Sequence, residues 1–442
     1  MKRSRINRLI EWKEKETRKP LLIDGARQTG KTYLLQRLFG KYFDNVLRID
    51  FLESPEMADA FAGSLTPEDI ISNIELLTNE VFNPSTDLLI LDEIGECQRA
   101  VTSLKYFAEK APTMYIAASG SNIGLLNSFP VGKVEQYNLR PLTFYEFLLA
   151  SGETPLIKAF EKATNSLPVH NKLFDKLTDY YFTGGMPEAV DTWFALKDQS
   201  ILDRVQAIEN IHKNLITGYT RDFGKYSGKV DTGLIESVFS NVPSQLAAVI
   251  DESVKRFKFK GVHERKSRYG DFESAITWLD KCRLILKNHP TDGTPRSPLA
   301  AYQKDNKIKL FLFDVGLLNN MLGISYKEVK QQGFEYKGYI AENFVQQEFA
   351  AQELDPTFSW GDARAEIEFI ATDQQGRIIP IEVKSGKRTR AKSLQSYINK
   401  CQPHKTIKLT ATQGSSALEK EHIVLPLYYA QYVVSQHLKS TQ

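Results

Sequence analysis

The chain has 442 residues, 42% of them apolar and 25% charged, and a formal net charge of +3. That length exceeds what one hydrophobic core serves, and the composition excludes both a disordered chain and a membrane-embedded one. No apolar run is long enough to cross a bilayer, the basic first twenty residues lack the apolar stretch of a secretory signal, and Cys97, Cys282 and Cys401 are too scattered for a disulfide framework or a zinc site. A cytoplasmic protein is the expectation, and a charge of +3 does not by itself imply a polyanionic partner.

In residues 1–145, short apolar runs alternate with helical patterns. Leu21 to Ile23, Val46 to Phe51, Leu88 to Leu91 and Met114 to Ala118 read as buried strands with crossover helices between them, which predicts a parallel sheet covered on both faces. Residues 146–225 turn helical, broken at Thr183, Gly184, Gly185 and Pro187, and read as a helical lid. Across 226–332 the pattern predicts a helix at Phe272 to Lys281, a strand at Arg283 to Lys287, a turn at Asp292 to Pro298 and a returning strand at Ile308 to Phe313. A helix followed by such a ribbon suggests a winged-helix-like domain. Residues 333–442 predict a helix near Tyr339 to Phe349, then strands Ala365 to Ala371 and Ile378 to Lys384 joined by a turn at Asp373 to Gly376. The fold class expected is α/β throughout.

Between the first strand and the helix after it, Gly25, Ala26, Arg27, Gln28, Thr29, Gly30, Lys31 and Thr32 match the P-loop pattern, with Tyr33 opening the helix. Glycines let the backbone curl so that successive N–H groups face phosphate, and the helix N-terminus adds its positive dipole end. Lys31 would reach the β and γ phosphates of ATP, and the Thr32 hydroxyl would ligate Mg²⁺. Asp92, ending the apolar strand at Leu88 to Leu91, supplies a second metal-holding acid, and Glu93 a group to polarise the attacking water. The strand Val46 to Phe51 lies between the two motifs, as in the additional-strand class of NTPases. Ser121 and Asn122, after the strand at Met114 to Ala118, are candidates to orient that water, or else cap the next turn. Arg140 and Lys133 could stabilise charge on a neighbouring subunit's nucleotide, which would require a homo-oligomer.

Residues two apart on a strand share a face, so Glu382 and Lys384 point the same way, as do Glu366 and Glu368 on the partner strand. With Glu342 from the preceding helix, Glu368 and Glu382 could hold a divalent metal beside Lys384. A salt-bridged exposed face fits the same residues. Basic residues crowd two stretches, 255–268 (Lys255, Arg256, Lys258, Lys260, Arg265, Lys266 and Arg268, interleaved with Phe257, Phe259 and Tyr269) and 384–392 (Lys384, Lys387, Arg388, Arg390 and Lys392). Such patches neutralise phosphates with little sequence preference, which points to nucleic acid, DNA in particular.

On Gly25 to Thr32, Leu91 to Ile94, Ala118 to Ser121, Ser128 to Lys133, Arg140 to Phe147 and Gly184 to Glu188, the chain resembles a family of prokaryotic AAA+ ATPases with a C-terminal domain of unknown function. Phe313 to Leu318, Tyr339 to Phe344 and Ile379 to Gly386 extend the likeness, and the last is similar to the PD-(D/E)XK nuclease core. There Glu382 and Lys384 fill the second element, while Glu368 stands where that core most often has Asp. The resemblance implies ATP hydrolysis, and the basic stretches add the expectation that the C-terminal half acts on nucleic acid. The alternative is an ATP-dependent switch that binds a protein partner, its nuclease-like end serving as scaffold.

Overall fold

A computed structural model describes the chain except for residues 122, 127–128, 227, 229, 249–255, 332–336, 363–364, 387–391, 415–420 and 439–442. The chain folds as two compact units, Met1–Arg140 and Pro141–Gln442.

The first unit is built on β1 (Leu21–Asp24), β2 (Val46–Asp50), β3 (Leu88–Asp92), β4 (Tyr115–Gly120) and β5 (Glu135–Asn138), in the order β2-β3-β4-β1-β5. Every neighbouring pair is parallel. The central strands are apolar on both faces because both are covered. Leu88 and Ile90 of β3 pack with Leu34, Leu35, Phe39, Leu9 and Trp12, while Leu89 and Leu91 pack with Ile70, Ile74, Leu104 and Phe107 on the other side. Each such fully buried side chain stabilises the fold by roughly 1.5–3 kcal/mol. The strand inserted between β1 and β3 is β4, and β2, which separates the two motifs in sequence, lies at the edge. There only Leu47 and Ile49 are buried, and Arg48 and Asp50 take the opposite face. The other edge, β5, is a strand the apolar pattern does not announce, since of Glu135, Gln136, Tyr137 and Asn138 only Tyr137 is buried.

The second unit opens with helices Phe144–Ser151, Thr154–Glu161, Leu167–Thr183, Pro187–Ala195, Ile201–Tyr226, Thr232–Ala247 and Tyr269–Lys281. The break at Gly184 and Gly185 is built around Asp314. Its carboxylate accepts from the Gly185 N–H at 2.7 Å and from those of Gly316 and Leu317 at 3.0 Å each.

After the helices come β6 (Ile285–Thr291), β7 (Lys309–Leu312), β8 (Thr357–Gly361), β9 (Glu366–Thr372), β10 (Ile378–Lys384), β11 (Thr406–Thr410) and β12 (His422–Pro426). They form one seven-stranded mixed sheet in the order β12-β11-β10-β9-β8-β6-β7. The expected hairpin exists, with β6 antiparallel to β7. It does not stand as a separate wing, because β6 also pairs parallel with β8. Residues 226–332 and 333–442 therefore contribute to one sheet. The physical reason is burial: Ile285, Leu286, Asn288, His289 and Thr291 are all buried, whereas a wing exposes one face. Helix Lys337–Ala351 covers the edge, where Asn343 Oδ1 accepts from Leu312 N–H at 2.9 Å and its Nδ2 donates to Leu312 C=O at 3.0 Å, as a further strand would. Among the described residues, no helix is long and apolar enough to cross a membrane.

Candidate functional site

At the C-terminal end of β1 the chain turns through two left-handed residues, Gln28 at φ 62° and Gly30 at φ 88°. Gly25 admits no side chain, since a Cβ there would lie 2.3 Å from the Leu139 carbonyl oxygen. Thr29 Oγ1 donates to Ala26 C=O at 2.8 Å, closing the loop on itself. Buried Arg3 holds it from behind, donating to the carbonyls of Thr29 and of Arg140, the latter at 3.1 Å. Leu34 N–H donates to Gly30 C=O at 2.9 Å, at the start of the helical segment Tyr33–Phe39. Tyr33 is exposed there, its hydroxyl accepting from the chain's amino terminus.

Lys31 is buried, and its Nζ donates to the carbonyls of Gly25 at 3.0 Å and Ala26 at 2.9 Å. Burial lowers its pKa, opposed by Glu93, Asp24 and Asp92. A desolvated ammonium cradled by two carbonyls gains most from an arriving anion. At the end of β3, Asp92 is 1% exposed and collects polar groups from two neighbouring strands and the loop. Thr32 Oγ1 donates to its Oδ2 at 2.8 Å, Arg48 Nε donates to the same oxygen at 3.0 Å, and Ser119 Oγ donates to Oδ1. The Thr32 hydroxyl and the Asp92 carboxylate are therefore an adjacent, oxygen-only donor pair, which is the chemistry Mg²⁺ selects. These residues fit the ion. Glu93, at φ 48°, turns the chain sharply beyond β3, and burial raises its pKa, with Lys31 opposing the shift.

Of the two water-orienting candidates, Ser121 is buried and accepts from Arg27 Nε at 3.3 Å, and Asn122 lies outside the described residues. The serine that reaches Asp92 is Ser119, inside β4, because β4 lies directly beside β3. Arg140, expected to serve a neighbouring subunit's nucleotide, is buried at 8% exposure. Lys133 is paired with Glu109 at 2.8 Å. Arg48 was missed altogether. Its signal was present in Leu47 and Ile49, whose alternation places Arg48 and Asp50 on one face of a strand running beside β3.

In the second unit, the β9–β10 register brings Glu368 beside Glu382 and Lys384. Lys384 Nζ lies 3.3 Å from Glu368 Oε1 and 3.3 Å from Glu382 Oε1, while Glu368 Oε2 accepts from Val383 N–H at 2.9 Å. The Glu342 carboxylate, expected as a third metal ligand, is paired with Lys309 of β7. Burial raises the pKa of Glu342, and Lys309 opposes that shift. Burial works against the charge on Lys309, but Glu342, Glu366 and Glu368 outweigh it and raise its pKa. Among the described residues, no three His, Cys, Asp or Glu side chains gather as a metal centre. The carboxylates meet lysines instead.

Arg256, Lys258, Lys260, Arg265 and Arg268 are exposed, and Lys266 is half-buried. The segment is anchored by buried Phe257, whose N–H donates to Ile308 C=O at 2.6 Å, and by Lys258 N–H to Gln245 Oε1 at 2.8 Å. The second basic stretch is reduced. Lys384 is engaged with carboxylates, Lys392 is exposed, and Lys255, Lys387, Arg388 and Arg390 lie outside the described residues.

Residues 17–148 match the profile of an AAA domain, and residues 174–328 and 337–430 match two profiles described as domains of unknown function. No curated protein matches the chain. Among solved structures, the Walker-type ATPase of Pyrococcus abyssi is similar at 14% identity, over 72% of this chain and 94% of that one, with a TM-score of 0.43. A STAND protein with a tetratricopeptide repeat sensor from Pyrococcus horikoshii is 12% identical over 80% of this chain and 48% of that one, TM-score 0.24. Drosophila ORC bound to DNA is 14% identical over 72% and 84%, TM-score 0.27. The matched AAA profile covers the parallel sheet and the loop described above, so the first unit has an AAA-like P-loop NTPase fold.

Proposed function

We propose that the chain binds and hydrolyses Mg²⁺-ATP at the loop Gly25–Thr32, and that nucleotide state governs DNA binding by the exposed basic segment 256–268. The observation that carries the ATPase reading is the convergence of Lys31, Thr32 and Ser119 with Asp92 at one end of a parallel sheet. Lys31 supplies the fixed cation for the terminal phosphates, and the loop N–H groups cradle them. Thr32 and Asp92 would hold Mg²⁺, which would supply positive charge beside the phosphate oxygens. Glu93 takes the proton of the attacking water, and Ser121, held by Arg27, orients that water. Arg48 balances Asp92 before the ion arrives.

The DNA reading rests on exposed arginines and lysines with buried Phe257 and Val262 fastening the segment between them. Backbone phosphates are their natural counter-charges, and binding releases condensed counterions. A reading in which the second unit binds a protein partner draws on the pairing of Glu342 with Lys309, which favours a scaffold over a nuclease.

Lys31→Ala tests the first part. ATP turnover falls by about 10²-fold or more, as when one preorganised charge is removed from a transition state; undiminished turnover overturns the assignment. Duplex-DNA affinity measured across salt tests the second. Log affinity falls with log salt, and Lys258→Ala with Arg265→Ala makes the slope shallower by about 2. A flat salt response removes the DNA reading and leaves the protein-partner one. Particle size with and without ATP reads whether a homo-oligomer forms.

A further inference from the structure

We propose that the Lys309 ammonium stands in the place of a divalent cation in the second unit, making the Glu342, Glu368, Glu382 and Lys384 cluster a metal-free ionic core rather than a phosphodiester-cleaving centre. A nuclease-like hairpin implies Mg²⁺ held by several free carboxylate oxygens at about 2.0–2.1 Å. Here most of those oxygens are occupied, while the Glu382 carboxylate accepts no hydrogen bond and meets only the Lys384 charge. Glu368 uses one on Val383 N–H and the other on Lys384, and Glu342 is closed by Lys309. Lys384 also lies 3.3 Å from Glu382, whose side chain is 0% exposed.

Lys309 meets this cluster through Glu342, which helix Lys337–Ala351 carries to β7 at the edge of the sheet. Its neighbours Ile308, Leu310 and Phe311 are buried, and so is Lys309 itself at 5% exposure. A buried ammonium persists where a nearby carboxylate offsets its charge. Glu366 and Glu368 add to Glu342 in holding its proton. On the far side Lys408 of β11, in register with Glu382, adds a further cation. A dication brought to these carboxylates would meet three lysines at Lys309, Lys384 and Lys408. The donor set does not fit the metal.

The test is Mn²⁺ binding to the full chain without nucleotide, read by calorimetry, alongside Mg²⁺-dependent cleavage of duplex and single-stranded DNA. The parent and Glu382→Gln give superimposable Mn²⁺ isotherms, and neither cleaves. Lys309→Met, which keeps the stem and removes the charge, gains a Mn²⁺ site that Lys309→Met with Glu382→Gln lacks. A parent that binds Mn²⁺ or cleaves DNA, with either property lost in Glu382→Gln, overturns the proposal. So does a folded Lys309→Met that gains no site. If Lys309→Met fails to fold, the comparison of parent with Glu382→Gln still decides.

Discussion

Asp92 is a carboxylate with almost no water, and four groups compete for its two oxygens. Arg48 is the only full counter-charge among Thr32, Ser119, Arg48 and the Glu93 N–H that touch it. Removing a partner from a buried charge costs about 1–3 kcal/mol. Arg48→Ala is therefore expected to lower the unfolding free energy of nucleotide-free protein by that amount, and by less with Mg²⁺-ADP bound; denaturant melts in the two states measure the difference. Equal losses in both would remove the counter-ion role. Glu93 carries a different consequence. Its pKa is raised by burial, and a base acts only when ionised, so turnover falls as pH drops through a value above the ordinary carboxylate range. Glu93→Gln keeps the shape and lacks the base, so turnover falls by about 10²-fold or more while ATP binding persists. Steady-state rates from pH 5 to 8 with filter-binding of labelled ATP check both statements.

At the level of elements, the joint between helices Leu167–Thr183 and Pro187–Ala195 depends on contacts between residues far apart in sequence. Gly184 takes φ 69°, and a Cβ there would meet Asp314 Oδ1 at 2.2 Å, while one on Gly316 would meet Gly184 N at 2.6 Å. The close approach lets one buried carboxylate satisfy N–H groups on two elements at once. Gly184→Ala combines a left-handed backbone with a direct clash on Asp314. The expected loss exceeds about 1 kcal/mol, the scale of the backbone effect alone, and chemical unfolding monitored by tryptophan fluorescence measures it. A neutral substitution would mean the joint opens freely.

For the whole second unit, stability turns on buried carboxyls. Glu348, on helix Lys337–Ala351, accepts from Phe144 N–H at 2.9 Å, and burial pushes its pKa up to about 8. The folded chain holds that proton more tightly than the unfolded one. The stabilisation is complete below the unfolded value near 4.5 and is lost as pH rises through about 8. Glu348→Gln cannot ionise, so the unfolding temperature of the variant relative to the parent rises between pH 5 and pH 9. Thermal melts at both ends of that range decide it, and a gap independent of pH would show that Glu348 is ionised throughout. The basic segment 256–268 has the opposite character, with most of its arginines and lysines exposed.

The phosphate loop, the acid at the end of β3 and the α/β class were legible from sequence because each is a local pattern. Gly25 to Thr32 is contiguous, and an apolar run ending in Asp92 and Glu93 announces its own strand. What surrounds Asp92 was not legible in that way. Arg48 and Ser119 arrive from strands placed on either side of β3 by sheet order, and strand order is a property of packing, not of spacing. The same holds for the second unit. The spacing of Glu382 and Lys384 predicted a shared face, yet the partner of Glu342 proved to be Lys309, 33 residues earlier. A lysine within the buried strand β7 requires a carboxylate to offset its charge, but which one it finds is decided only when β7 joins the sheet and helix Lys337–Ala351 is laid over it. Sequence determined which charges must be paired; tertiary structure decided with whom.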